Sequence, residues 1–377
     1  MKKLCYFVNS DWYFSLHWTE RAVAARNAGY DIHIISHFID KKITQRFTAL
    51  GFHCHNISLE AQSFNPLIFI RAFLDAGKIL RTIKPDLLHC ITIKPGLIGG
   101  FHARIIHCPV IISFAGLGRV FSSGSVLITL LRRLTLHALK YISGNRYSVF
   151  MFESETDRRK ISALTGIDGR QTTVIDGAGI NTDIFEYSKE PDSHIPVVLF
   201  AGRMLWSKGP AELIEAGKIL RRRNIRFILN MAGILVEKDR DAIPLREILK
   251  WRDEGVINWL GCSSGVHELI KASSLVVLPS VYPEGIPRIL LEASSCGRAC
   301  ISYDTGGCAG LITDNHNGLI VRSNTVQELA EKLEYLLKRP QLRAEMGLNG
   351  RKRVMEQFSS DIIINKTLML YKRMTPD

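Results

Sequence analysis

Two acids at fixed spacing, Glu284 and Glu292, bracket a turn and the start of a helix in the stretch Pro279-Ser280-Val281-Tyr282-Pro283-Glu284-Gly285-Ile286-Pro287-Arg288-Ile289-Leu290-Leu291-Glu292-Ala293. The apolar run Ser274 to Leu278 before it reads as a strand, and Pro279, Pro283 and Gly285 break the chain into a loop. Pro287 is expected at the first helical position, where its fixed φ fits and its missing N–H goes unmissed. A helix start presents free backbone N–H groups and a positive dipole end, a site for phosphate. Carboxylates beside it suit hydroxyl groups, which they accept from in pairs. A second loop, Gly202-Arg203-Met204-Leu205-Trp206-Ser207-Lys208-Gly209, follows the apolar strand Val197 to Ala201 and carries two cations, Arg203 and Lys208. Phosphate-binding backbone, two cations and two acids together suit a nucleotide-diphosphate sugar: the cations hold the diphosphate and stabilise the charge that grows on it as the glycosidic bond breaks.

These loops need a scaffold, and the rest of the chain spells one out. Apolar runs at Leu4–Val8, Tyr30–Ser36, Phe52–Leu59, Leu87–Thr92, Val110–Phe114 and Tyr147–Phe152 alternate with helical patterns at Ser15–Ala28, Pro66–Ile83, Pro95–Ile106 and Ser125–Ile142. Near-continuous apolar strands separated by helices predict a parallel sheet covered on both faces. The alternation restarts at Val197, with strands expected at Arg226–Met231, Val256–Leu260, Leu275–Leu278, Ala299–Ser302 and Gly318–Val321. A helical end follows from Thr325 to Met374, in three pieces. The polar run Ser188 to Pro196 has linker composition and sets the boundary between two α/β domains. In such sheets ligands bind beyond the carboxyl ends of the strands, so the Arg203–Lys208 and Glu284 loops belong to one crevice.

Glu284 to Glu292, with Pro279-Ser280 before, Glu284-Gly285-Ile286-Pro287 within and Leu291-Glu292-Ala293 at the end, resembles the E-x7-E signature of the retaining glycosyltransferases of family 4. The resemblance covers residues 197–340 and continues, more weakly, before them. It implies the α/β GT-B fold: two Rossmann-like domains whose parallel sheets face a central cleft, and a C-terminal helix crossing back. The organisation expected is an acceptor-binding domain over 1–187, a nucleotide-sugar domain over 188–357, and a last helix, 358–377, packing on the first domain. By the same resemblance Arg203 and Lys208 hold the donor diphosphate, Glu284 contacts the donor sugar, Glu292 binds the ribose hydroxyls, and Gly285, Ile286, Pro287 and Arg288 form the phosphate-facing helix start. Gly233 matches a turn beside the nucleotide. Catalysis is assigned to Glu284, Arg203 and Lys208 with His17 in support, without a metal or other cofactor.

The first domain departs from the family pattern. Many members carry a His after the strand matching Val110–Phe114, where this chain reads Phe114-Ala115-Gly116-Leu117-Gly118, and the usual Gly-Gly turn after the first strand is replaced by Asn9-Ser10-Asp11-Trp12. Relatives acting on lipid-linked sugars share a run like Asp11-Trp12-Tyr13-Phe14 and one like Thr92 to Pro95. Asp11, Trp12, Tyr13, His17, His89, Lys94 and Gly116 are therefore the acceptor-side candidates, with a core position the rival reading for His89. A retaining transfer in which the leaving phosphate takes the acceptor's proton needs no dedicated base. Gly306-Gly307-Cys308-Ala309-Gly310 lacks the acid that members often carry after the glycines.

Charge agrees with an anionic partner. The net charge is +13, and residues 1–180 hold 22 Lys and Arg against 12 Asp and Glu. No acid occurs between Asp86 and Glu153, a span containing Lys94, Arg104, Arg119, Arg132, Arg133, Lys140 and Arg146. A one-signed surface attracts a lipid headgroup, a pyrophosphate or a nucleic acid. The helix Ser125–Ile142 pairs apolar and basic residues, as a helix lying on an anionic inner leaflet does. No apolar run is long enough to span a bilayer, and the short run after Met1-Lys2-Lys3 reads as a strand, not a signal peptide. Eight scattered cysteines without a C-x-x-C pair predict free thiols in a reducing cytoplasm. Asp239-Arg240-Asp241 mimics a metal-binding D-x-D but sits in a polar loop, and no His/Cys/carboxylate spacing suggests a metal. The expected protein is a glycosyltransferase moving a hexose or N-acetylhexosamine, from a UDP-sugar by preference, to a polyprenyl-pyrophosphate-linked saccharide in surface-glycan assembly at the inner membrane face. The rivals are a GT-B nucleotide-sugar epimerase and a nonenzymatic basic nucleic-acid-binding protein; no basic–aromatic stripe or binding motif supports the latter.

Overall fold

A computed structural model describes residues 1–377 apart from 61–62, 64, 123–125, 237–238, 264 and 377. The chain forms two compact units, residues 1–178 with 361–377, and residues 179–360. The first holds a seven-stranded parallel sheet, with β1 (Lys2–Phe7), β2 (Tyr30–Ser36), β3 (His53–Asn56), β4 (Leu87–Ile91), β5 (Val110–Phe114), β6 (Ser148–Phe152) and β7 (Thr172–Val174) in the order β3-β2-β1-β4-β5-β6-β7. The second holds a six-stranded parallel sheet of β8 (Val197–Arg203), β9 (Ile228–Ile234), β10 (Asn258–Trp259), β11 (Leu275–Leu278), β12 (Ala299–Tyr303) and β13 (Gly318–Val321), in the order β10-β9-β8-β11-β12-β13.

Period-2 alternation explains why the strands read as continuous apolar runs. Along β1, Leu4 and Tyr6 enter one buried cluster and Cys5 and Phe7 another, so both faces of the first sheet are covered. In each sheet the strand order reverses once, between β1 and β4 and between β8 and β11. Loops leaving the carboxyl ends of two such strands diverge and open a crevice.

Three expectations are adjusted. The expected helix Ser15–Ala28 is two helices, Asp11–His17 and Thr19–Asn27, broken at Trp18 with φ −124°. Trp18 is buried there, its ring under the Arg21 guanidinium at 4.3 Å. The polar run Ser188–Pro196 lies inside the second unit, because Arg298 and Arg343 sew the segment before the sheet onto it. Arg298 donates to the Ser188 carbonyl at 2.6 Å, and Arg343 pairs with Glu190 at 2.6 Å. The chain leaves the first unit at Ala178 and returns at Asp361. The basic helix runs Val126–Ser143, with its expected first residue, Ser125, outside the described residues. It exposes Val126, Leu130 and Leu134 at four-residue spacing, with Arg133 and Lys140 also on the surface.

The final helix, Ser360–Met374, packs into the first unit through a buried polar chain. Tyr371 Oη sits 2.7 Å from His89 Nδ1 and donates to Tyr6 Oη at 3.1 Å. No helix among the described residues is long and apolar enough to cross a membrane.

Candidate functional site

In the second unit the two loops at the β8/β11 reversal meet through side chains. After β8 the backbone makes a short 3-10 turn, Trp206–Lys208, and enters the helix Pro210–Arg222 through Gly209. Gly209 has φ +76°, and a Cβ there would strike the Pro279 carbonyl, so only glycine lets the two loops approach this closely. Ser207 and Val281 tie them further, the Val281 N–H donating to the Ser207 carbonyl at 3.0 Å.

Across this junction Lys208 Nζ pairs with Glu284 Oε2, both side chains mostly buried. Ser280 Oγ donates to Glu284 Oε1 at 2.5 Å, so both carboxylate oxygens are held. The acid's backbone is held as well: the Gly307 N–H donates to the Glu284 carbonyl at 2.7 Å. A Cβ on Gly307 would lie 2.6 Å from the Gly285 carbonyl carbon and the Ile286 nitrogen, and one on Gly306 would strike Glu284 itself. The glycine pair is thus the backing of the acid loop. Asp241, in the sequence that mimics a metal motif, caps the cationic loop instead: its carboxylate accepts from the Ser207 N–H at 3.2 Å and from the Ser207 hydroxyl.

Arg203 ends β8 half-buried, with no hydrogen-bond or ion-pair partner for its guanidinium among the described residues. Pro287 takes the capping position, one residue earlier than expected, and the helix runs Arg288–Ser295. The Leu290 and Leu291 N–H groups bond the Pro287 carbonyl, whereas those of Ile286 and Ile289 have no such partner among the described residues. One turn on, Glu292 accepts from Arg288 Nε at 2.8 Å. Burial pushes the Glu292 carboxyl above its usual range, and Arg288 opposes the shift. Gly233 differs from the rest. Its N–H is spent on the Gly261 carbonyl at 2.9 Å, and a Cβ would strike the Gly202 carbonyl in the paired strand. That position is explained by the close approach of β8 and β9 and leaves no donor for a ligand.

In the first unit the candidates divide. Asp11 is buried, and its carboxylate accepts from the N–H groups of Trp12 (2.7 Å), Ile39 (2.8 Å) and Asp40 (2.9 Å), which gives it a structural capping role. His89 is corrected to a core position. It is fully buried, its Nε2 is 2.5 Å from Ser113 Oγ, and burial with nearby Arg21 holds its pKa well below 6.5. Lys94 donates to the Glu60 and Ser63 carbonyls at 2.9 and 2.6 Å. Burial lowers its pKa, with Glu60 opposing. Trp12, Tyr13 and His17 remain together near the end of β1: Trp12 is exposed, and the Tyr13 ring lies 4.5 Å from that of His17. Gly116, with φ +89°, turns the chain after β5.

One buried acid escaped the sequence reading. Glu153 follows β6 directly, is buried, and has a pKa raised to about 7 by burial, with Arg21 lowering it. Its only sequence signal was its position at the end of an apolar strand.

Residues 182–353 match the family model "Glycosyl transferases group 1", and residues 3–163 match "Glycosyl transferase 4-like". The chain is 26% identical over 343 residues to the N,N'-diacetylbacillosaminyl-diphospho-undecaprenol alpha-1,3-N-acetylgalactosaminyltransferase of Campylobacter jejuni, covering 88% of each chain. It is 24% identical over 358 residues to the capsular polysaccharide biosynthesis glycosyltransferase CapM of Staphylococcus aureus, covering 92% of this chain and 90% of the relative. Among solved structures it resembles Anabaena HepE in complex with UDP and glucose, with TM-score 0.79 and 18% identity over 99% of this chain and 100% of that one. A glycosyltransferase from Rickettsia africae gives TM-score 0.78 at 18% identity, covering 100% of this chain and 99% of its own.

Proposed function

Since the chain belongs to the glycosyl transferases and has the GT-B fold, we propose that it is a retaining enzyme using a nucleotide-diphosphate sugar, UDP-linked by preference, and a polyprenyl-pyrophosphate-linked saccharide. The observation that carries the donor half is the joined pair of loops at the β8/β11 reversal. There Lys208, Glu284 and Ser280 form one cluster; Arg203 ends β8 in the loop's own strand, and among the described residues neither its guanidinium nor the Ile286 and Ile289 N–H groups at the helix start have a partner. In this reading the helix start and the two cations receive the diphosphate. Glu284, held at both oxygens, orients the donor sugar, and Glu292, steadied by Arg288, accepts from the ribose hydroxyls. As the sugar–phosphate bond breaks, charge accumulates on the diphosphate, and Arg203 and Lys208 stabilise it where it forms. The departing phosphate oxygen takes the acceptor's proton, so the rest of the catalysis is positioning.

The acceptor half rests on the Campylobacter relative's lipid-linked substrate and on surface chemistry. Exposed Val126, Leu130 and Leu134 beside Arg133 and Lys140 suit a helix resting on an anionic inner leaflet. The proposed setting is surface-glycan assembly, with the enzyme peripheral to the membrane and no metal in the transfer step. Trp12, Tyr13 and His17 are the residues offered to the acceptor. Calorimetric titration with UDP, GDP and ADP, without metal, tests the donor site: one base is expected to bind in the micromolar range. Binding of none refutes the donor site as drawn. Incubation of the matching sugar nucleotide with an undecaprenyl-diphosphate-linked saccharide then tests the acceptor, by a product whose anomeric linkage matches the donor's.

A further inference from the structure

The first sheet assembles a side-chain set that spacing along the chain does not reveal. In the parallel pairing of β2 with β3, His33 lies opposite His53 and Ile35 opposite His55. Alternation along each strand then sends Asp31, His33, His53 and His55 to one face. The carboxylate of Asp31 bridges two of the rings, Oδ1 lying 3.1 Å from His53 Nε2 and Oδ2 3.2 Å from His33 Nε2. On its other side His33 Nδ1 lies 3.1 Å from His55 Nε2. The His33 ring stacks on both neighbours, at 4.6 Å and 5.4 Å between centroids.

We propose that Asp31, His33 and His53 form a binding site for a divalent transition-metal ion of the zinc type, with His55 supporting it from behind. Metal–ligand bonds of about 2.0–2.2 Å around a tetrahedral ion put neighbouring ligand atoms roughly 3.3 Å apart. The separations within the Asp31 fork are close to that, and one ligand atom from each of the three residues lies within 4.8 Å of the others. Two imidazoles and one carboxylate select zinc, cobalt or nickel over magnesium or calcium, and leave a position for water. His55 completes the arrangement. By accepting the Nδ1–H of His33 it fixes the tautomer that turns the Nε2 lone pair toward the ion, an imidazole taking the outer-shell place that a carboxylate, carbonyl or water usually fills. An entry path exists, since the His53 side chain is 58% exposed and that of Asp31 27%. The site lies on the first half of β2 and the start of β3, not at the carboxyl ends where the transfer site is drawn, so it stands apart from the proposed reaction. Its effect is to tie the four-residue edge strand β3 to β2.

The test uses the full chain, stripped with a chelator and dialysed, then titrated with Zn2+ by calorimetry and with Co2+ by visible absorption. The expected result is one saturable equivalent per chain, a Co2+ d–d band of low-symmetry coordination, and a rise in Tm on adding Zn2+. His53→Ala, at an exposed ring, is expected to lower Zn2+ affinity at least tenfold and abolish the Tm rise. His55→Gln is expected to lower affinity about 10–100-fold with the stoichiometry kept. His316→Ala, at an exposed histidine of the second unit, is expected to change neither. UDP binding in each variant reports folding independently. The proposal is overturned if the wild type shows no stoichiometric binding, or if His53→Ala binds Zn2+ as the wild type does. In the latter case the fork is a proton-bridged Asp–His cluster and the ion sits elsewhere.

Discussion

The Lys208–Glu284 pair makes a prediction with a definite sign. Both side chains are largely withdrawn from water, 14% and 19% exposed, and among the described residues the Glu284 carboxylate keeps only the Ser280 hydroxyl if Lys208 is removed. Lys208→Met therefore does two things to an incoming diphosphate. It deletes a charge-assisted contact, about 1.5–3 kcal/mol or roughly ten- to hundredfold in Kd. It also leaves an uncompensated carboxylate in the site, which repels the anion by about 1 kcal/mol or more in a partly screened setting. Glu284→Gln alone removes that repulsion and keeps the lysine, so UDP affinity is expected to stay level or improve while affinity for the complete sugar nucleotide falls. The double variant is then expected to bind UDP at least about fivefold more tightly than Lys208→Met. Calorimetry with UDP on all four proteins measures the coupling, and circular dichroism with urea titration verifies that each is folded. A double variant that binds UDP no more tightly than Lys208→Met would refute the reasoning. So would wild-type UDP affinity in Lys208→Met.

Gly307→Ala places a methyl group against the Glu284–Ile286 backbone, and it is expected to weaken UDP-sugar binding at least tenfold while changing Tm by only a few degrees; unchanged Kd would mean the loop yields freely. Glu153 titrates near pH 7 when folded and near 4.5 ordinarily, so the unfolded chain loses this proton first and stability falls as the pH rises from about 4.5 to about 7. The loss amounts to about 3 kcal/mol, and urea titrations at pH 5 and pH 8 are expected to differ less in Glu153→Gln than in the wild type; an unchanged difference would reassign it to another group. Tyr371→Phe strips His89 Nδ1 and Tyr6 of a buried partner and is expected to cost about 1–3 kcal/mol, read from the urea midpoint, with an unaltered midpoint counting against the role of this chain of bonds in docking the last helix.

Periodicity alone pointed to two α/β domains built on parallel sheets. Alternating apolar strands and helices can bury both faces only as parallel sheets, and the strand ends then dictate where loops such as Arg203–Lys208 and Glu284–Arg288 must emerge. The helix start was legible for the same local reason, because proline and glycine punctuate the backbone by their own φ restrictions. Tertiary structure decided everything that depends on who sits opposite whom. That Asp11 caps three backbone N–H groups, that Gly233 yields to a facing carbonyl and that Asp241 caps a loop 34 residues earlier are facts of pairing, which no spacing along the chain encodes. The same holds for the fork of Asp31, His33 and His53: its residues lie up to 22 apart, and only the register of β2 against β3 brings the His53 ring to the carboxylate that His33 meets along its own strand.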